Sequence, residues 1–219
     1  MIDLTGIKAC LFDMDGTLID SMGLWHGIDV EYFRKYGKVL PDTYQEEIEG
    51  LSVIETAVYT KEHYGFEDTI EGMIDEWNQM AHEQYAKHIT FKPGVRDFLL
   101  SLKEKGIKMG VATSNSRFLF DAIADASGLC SIMDASVTGE EVSNGKPAPE
   151  CYLKVASKLG VRPEECLVFE DIIMGLQAGI NAGMKTVAVS DTYSASKWEE
   201  KKAMSDYYIE SYEDVEVIF

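Results

Sequence analysis

Five short apolar runs recur along this chain: Lys8 to Phe12, Ile107 to Thr113, Ala135 to Thr138, Cys166 to Phe169 and Thr186 to Val189. A short, nearly continuous apolar run suits a strand buried on both faces. Helical patterns lie between the runs. Ala148 to Leu159, for instance, carries Tyr152, Val155, Ala156 and Leu159 on one face, with Pro149 near its start and Gly160 as a stop. Strands alternating with helices of this length predict an α/β fold, a Rossmann-like parallel sheet covered by helices on both faces.

The alternation breaks after the first strand. Trp25, Ile28, Tyr32 and Tyr36 follow helical spacing up to Gly37, and Ile70, Met73, Ile74, Trp77 and Tyr85 form a second helical set. No strand pattern separates them. Residues 21–89 are therefore expected to form an all-helical cap inserted after the first strand, with a core of 1–20 and 90–219. In open α/β sheets ligands bind beyond the carboxyl ends of the strands. A helical module leaving just after Asp15 is expected to cover that edge as a lid.

Twenty basic against 38 acidic residues give a net charge of -18 over 219 residues, which argues against a nucleic-acid partner. No apolar run approaches membrane-spanning length. Cys10, Cys130, Cys151 and Cys166 form no CxxC pair, so reduced thiols and a cytoplasmic monomer are expected. The charged run Trp198 to Lys202 reads as a solvated helix face. Gly175 and Gly179 suit close packing of a helix on the sheet, and Gly183 suits its end.

Chemistry enters through the polar residues that close the runs. Asp13 and Asp15 follow the first strand, Thr113, Ser114 and Asn115 the second, Lys146 in NGKPAP the third, and Glu170 and Asp171 the fourth. A parallel sheet would bring them to one edge. Two unit charges about 4 Å apart interact by about 4 kcal/mol at an effective dielectric near 20. Several carboxylates in one pocket therefore need a cation, or some must protonate. Oxygen ligands without histidine or cysteine favour magnesium over zinc. A hydroxyl and a lysine complete a cradle for a phosphoryl group, and a carboxylate can act as nucleophile. Taken singly, each motif also reads as a turn, a helix cap or a charge complementing a helix dipole. The four in this order do not read as coincidence.

DMDGT, VATSN, GKPAP and VFEDIIMGLQAG, in this order, resemble the four motifs of the haloacid dehalogenase superfamily of phosphotransferases. The helical insertion resembles the cap of its beta-phosphoglucomutase-like branch. The resemblance implies that Asp13 attacks phosphorus, and that Asp15 protonates the leaving oxygen and then deprotonates water. It also implies that Thr113 bonds a phosphoryl oxygen, with the backbone around Ser114 and Asn115, and that Lys146 bridges Asp13 and the phosphoryl group. Magnesium would be held by Asp13, the Asp15 carbonyl and Asp171, with Glu170 as an additional or outer ligand. Thr17 and Trp25 join Ser114 and Asn115 as expected substrate contacts.

An acid at Asp15 suits an alkoxide leaving group, which needs a proton, whereas a halide does not. The mutase branch carries a histidine, an arginine and a lysine in its cap. Here those neighbourhoods hold Trp25, with His26 beside it, then Val53 in GLSVIET and His82 in NQMAHEQYA. The departures favour hydrolysis of a small phosphorylated metabolite, with a sugar phosphate mutase as the alternative.

Overall fold

The computed structural model describes residues 1–88 and 90–219, without the side chains of 83–88. The side chain of Tyr85, expected on the second helical stripe, thus lies outside the described residues. Six strands form one parallel sheet: β1 (Ala9–Phe12), β2 (Lys108–Ala112), β3 (Ala135–Val137), β4 (Cys166–Glu170), β5 (Lys185–Val189) and β6 (Tyr207–Ile209). Their spatial order is β3-β2-β1-β4-β5-β6. Chain order reverses between β1 and β4, the point at which open α/β sheets leave a crevice beyond their carboxyl ends. Phe12 closes β1 opposite Val111 of β2 and Phe169 of β4, so the residues that follow β1 and β4 emerge side by side.

Alternate side chains of β1 enter two different cores. Ala9 and Leu11 pack with Tyr152, Val155 and Ala156 of α7 (Glu150–Leu159) and Ala178 of α8 (Ile173–Asn181). Cys10 and Phe12 pack with Phe98 and Leu99 of α5 (Val95–Glu104) and Phe120 and Ile123 of α6 (Arg117–Ser127). Phe12 stacks on Phe169 with ring centroids 4.8 Å apart, and Phe98 meets both rings edge-on. Coverage of both faces explains why the strands carry no polar alternation.

Between β1 and α5 the described residues form four helices and no strand: α1 (Met22–Lys35), α2 (Tyr44–Ile48), α3 (Val53–Tyr64) and α4 (Ile70–His88). An aromatic cluster joins them. Tyr32 stacks on Phe66 at 5.0 Å and meets Trp77 edge-on, while Phe33 contacts Tyr44, Tyr64 and Phe66. The segment leaves and re-enters through adjacent backbone. Ile19 bridges to Phe91, and the Lys92 N–H donates to Leu18 O at 2.9 Å. No helix among the described residues is long and apolar enough to cross a membrane.

Three features differ from the sequence reading or go beyond it. β6, and a two-residue parallel pairing of Ile2–Asp3 with Val217–Ile218, are too short to leave a periodic signal. The run from Trp198 does form a helix, α9 (Trp198–Met204), but it is not simply solvated. Lys201 is fully buried, and its Nζ donates to Asp171 O at 2.7 Å, Val189 O at 3.3 Å and Ser194 Oγ at 2.8 Å. Burial depresses the Lys201 ammonium, and Asp171 and Asp191 oppose that shift.

Candidate active site

Beyond β1 the chain must turn at once. Gly16 adopts φ +81°, and a Cβ there would stand 2.3 Å from Asp171 Oδ2. Only glycine lets the backbone after Asp15 approach the β4 loop so closely. The turn delivers Asp13 and Asp15 to the crevice. The loop before α7 delivers Lys146, and the end of β4 delivers Glu170 and Asp171.

Asp13, Lys146, Glu170 and Asp171 are all buried. Lys146 Nζ lies 2.6 Å from Asp13 Oδ1 and also bonds Glu170 Oε1. The same Glu170 oxygen accepts the Tyr152 hydroxyl at 2.7 Å, and its other oxygen accepts the N–H groups of Asp171 at 3.1 Å and Ile172 at 3.4 Å. Glu170 is thus held by four donors. α8 passes close above it, since a Cβ on Gly175 would fall 1.9 Å from the Glu170 carboxyl carbon. A Cβ on Gly179 would likewise fall 2.9 Å from Thr186 Cγ2, and Gly183 lies just beyond α8 with φ +74°. These positions match the packing and stop expected of the three glycines.

Asp15 is bound differently. Its Oδ1 accepts from Ser21 Oγ at 2.6 Å and Trp25 Nε1 at 3.3 Å, and its Oδ2 accepts from Asn115 Nδ2 at 2.7 Å. Donors from α1, the segment before it and the β2 loop therefore fix one carboxylate. Thr113 Oγ1 accepts the Asn115 N–H at 3.1 Å, and Thr17 Oγ1 donates to Asp171 Oδ1 at 2.8 Å.

Electrostatics set these carboxylates apart from surface acids. Burial pushes Asp13 well above the usual carboxylate range; Lys146 opposes the shift, while Glu170, Asp171 and Asp15 add to it. Burial works against the Lys146 charge too, but Asp13 and Glu170 outweigh it and hold the ammonium above its ordinary value. Asp171 is pushed up to about 7 by burial and by Glu170 and Asp191, against the Thr17 hydrogen bond and Lys92. One oxygen from each of Asp13, Glu170 and Asp171 lies within 4.8 Å of the others. An oxygen-only buried set under mutual repulsion fits a hard divalent cation.

A cavity of about 260 Å³ opens over this cluster. Asp13, Asp15, Trp25, Ser114, Asn115, Lys146 and Asp171 line it, so most of the residues singled out in the sequence converge there. Thr17, Thr113 and Glu170 are not among its lining residues; they stand behind it and hold residues that are. The opposite wall belongs to the helical insertion, through Asp29, Gln45, Thr56, Trp77 and Asn78. Sequence reasoning missed Asp29 and Gln45, because an acid and an amide on separate helices carry no motif. It also missed Tyr152 as a partner of Glu170, since that tyrosine reads as a core residue of α7.

Lys92 supports the site from below. Its Nζ donates to Gly16 O at 2.6 Å, Ser190 O at 2.8 Å and Asp191 Oδ2 at 2.9 Å. It ties the turn after Asp15 to the loop after β5 at the point where the helical insertion returns.

A switch-point crevice holding a lysine shared by two buried carboxylates, under a helical insertion, defines a class of phosphate-monoester hydrolases. Residues 10–189 match the haloacid dehalogenase-like hydrolase family, and the chain belongs to that family. It is 31% identical over 182 residues to the phosphorylated carbohydrates phosphatase of Thermotoga maritima, covering 83% of this chain and 84% of the relative. The crystal structure of CbbY from Rhodobacter sphaeroides in complex with phosphate is similar over 97% of both chains, with a TM-score of 0.86 and 25% identity. The beta-phosphoglucomutase of Clostridium difficile shares the fold at a TM-score of 0.82 and 22% identity, covering 96% of this chain and 93% of that one.

Proposed function

We propose that this chain is a magnesium-dependent phosphatase of a small phosphorylated metabolite that works through an aspartyl phosphate on Asp13. The observation that carries the reading is the asymmetry between the two aspartates of the first motif. Both line the cavity, but Asp13 is buried against Lys146, whereas the half-buried Asp15 has its carboxylate held by Ser21, Trp25 and Asn115. A nucleophile needs the first environment and a proton carrier the second.

In the first step an Asp13 carboxylate oxygen attacks phosphorus. The bond from phosphorus to the ester oxygen breaks, and Asp15 gives its proton to that oxygen as the alcohol leaves. In the second step Asp15 takes a proton from water, whose oxygen attacks the same phosphorus, and Asp13 is released with inorganic phosphate. Lys146 offsets charge on Asp13 and on the phosphoryl oxygens throughout, and Glu170 keeps it in place. Bound magnesium would neutralise phosphoryl charge; Asp13, Asp171 and the Asp15 carbonyl would hold it, with Glu170 in an outer position.

Residues 21–89 act in this reading as a cap on a core of 1–20 and 90–219. The supporting contacts are direct. The Val53 N–H donates to Ser114 O at 3.1 Å, and Ser116 Oγ donates to Asn78 Oδ1 at 2.6 Å. Trp25 joins the cap to Asp15 at the position where the mutase branch has a histidine, which supports hydrolysis over isomerisation.

The test is phosphate release from a panel of phosphorylated metabolites with magnesium, run beside Asp13→Asn and a chelated sample. The reading expects release only from the metal-loaded native enzyme. Full activity in either control overturns it.

A further inference from the structure

We propose that the cap wall of the cavity restricts this enzyme to monophosphates of small polyhydroxylated compounds, with the buried Asp29 and Gln45 reading substrate hydroxyls and the wall's acids excluding a second anionic group. The inference rests on the phosphatase reading above and names the substrate class of that site.

The cavity is chemically two-sided. On the core side Lys146 is its cation, and it is already shared by Asp13 and Glu170. On the cap side, Asp29, Glu46 and Glu49 line the wall. Among the described lining residues the only other cation is Lys197, which is exposed. Lys197 lies close enough to Glu49 to counter the upward push of burial on that carboxyl. A second phosphate or a carboxylate at the far end of a substrate would meet the buried Asp29 and the half-buried Glu49, with the exposed Glu46 beyond them, and no uncommitted buried cation.

Asp29 is the part of this wall built to recognise something. It lies on α1, is only 8% exposed, and accepts from Gln45 Nε2 through Oδ2. Among the described residues no hydrogen-bond donor reaches its Oδ1. Asp29 lines the cavity, so its second oxygen can accept from a substrate hydroxyl. Burial, partly opposed by the Gln45 bond, pushes Asp29 up to about 7. Ionised, it accepts from a hydroxyl and repels an anion; protonated, it both donates to and accepts from hydroxyls. Trp25 and Trp77 add aromatic surface to the cavity, suited to the apolar faces of a sugar or polyol. A volume of about 260 Å³ falls below the roughly 300–1,000 Å³ of typical ligand pockets, which suits a small substrate.

The experiment compares kcat/KM of the magnesium-loaded enzyme for fructose 6-phosphate, fructose 1,6-bisphosphate, phosphoglycolate and phenyl phosphate. The expected result is a preference for the sugar monophosphate of at least about 100-fold over both compounds that carry a second anionic group, and a clear preference over phenyl phosphate. In Asp29→Asn the ratio of bisphosphate to monophosphate turnover should rise about tenfold, from gain on one and loss on the other. Equal or better turnover of the bisphosphate or phosphoglycolate by the native enzyme overturns the proposal without needing any variant. An unchanged ratio in folded Asp29→Asn overturns the role given to Asp29. Hydrolysis of phenyl phosphate without sugar selectivity refutes this inference alone. No turnover of any of the four refutes the phosphatase reading together with it.

Discussion

Lys146 Nζ stands 2.6 Å from Asp13 Oδ1, across 133 residues of sequence, and the same nitrogen is held by Glu170. The lysine is positioned from behind by a carboxylate that does not line the cavity. Glu170→Ala removes the acceptor of Lys146, of Tyr152 and of two backbone N–H groups in a fully buried setting. Breaking a buried pair from one side costs about 3–5 kcal/mol, so a loss of that size in the unfolding free energy from urea titration is expected, with activity largely lost. Gly175→Ala tests the same support by crowding, because its Cβ would overlap the Glu170 carboxylate. A displacement near 1 Å at this point should cost about 100-fold in kcat. Wild-type kinetics in Gly175→Ala would mean that Glu170 does not set the Lys146 position.

Glu55 joins the helical insertion to the loop before α7. Its Oε2 accepts from the Ser52 N–H at 2.9 Å and Ser52 Oγ at 2.8 Å, which caps α3, and also from the Gly145 N–H at 2.8 Å, next to Lys146. Glu55→Gln keeps the shape and weakens all three bonds. Loss of the cap contribution should lower stability by about 0.5–2 kcal/mol. If the contact to Gly145 also holds the cap closed, KM for a small phosphate ester should rise several-fold. A stability loss with unchanged KM would leave Glu55 as a helix cap alone.

Asp29 gives a pH signature. Its carboxyl titrates near 7 when folded because burial disfavours the charge, against about 3.9 when unfolded. The folded state therefore binds the extra proton between those values, and its stability falls as pH rises from about 4 to 7. The full effect is at most about 4 kcal/mol. Melting temperatures of native enzyme and Asp29→Asn, compared from pH 4.5 to 7.5, should diverge with the variant gaining at the higher pH. Parallel profiles would show that Asp29 is not desolvated as its burial implies.

The parallel sheet and the edge that carries the candidate site are legible because β1 to β5 are short, apolar and closed by polar residues, whereas β6 leaves no periodic signal. β1 and β4 are neighbours with Phe12 paired to Phe169, so DMD and VFED meet at one edge. The Ser52 to Glu55 capping box has the spacing S-x-x-E and was readable in principle. Its second partner, Gly145, lies 90 residues away and leaves no local trace. Lys201 was hidden by its charged neighbours: helical rotation turns one lysine of that run inward to three oxygen acceptors, while the rest face water. Asp29 reads as one more acid of α1, but it is buried, and Gln45 of α2 donates to it. Contacts of this kind depend on how helices pack, which periodicity does not specify.

The proposed attack of the Asp13 carboxylate on phosphorus is measured most directly by a rapidly quenched single turnover with magnesium and a phosphate ester, followed by peptide mapping of the protein. A phosphoryl group on the peptide containing Asp13, absent from Asp13→Asn, is the expected result. Release of phosphate with no phosphorylated peptide, by a protein whose Asp13→Asn variant still turns over, would contradict it.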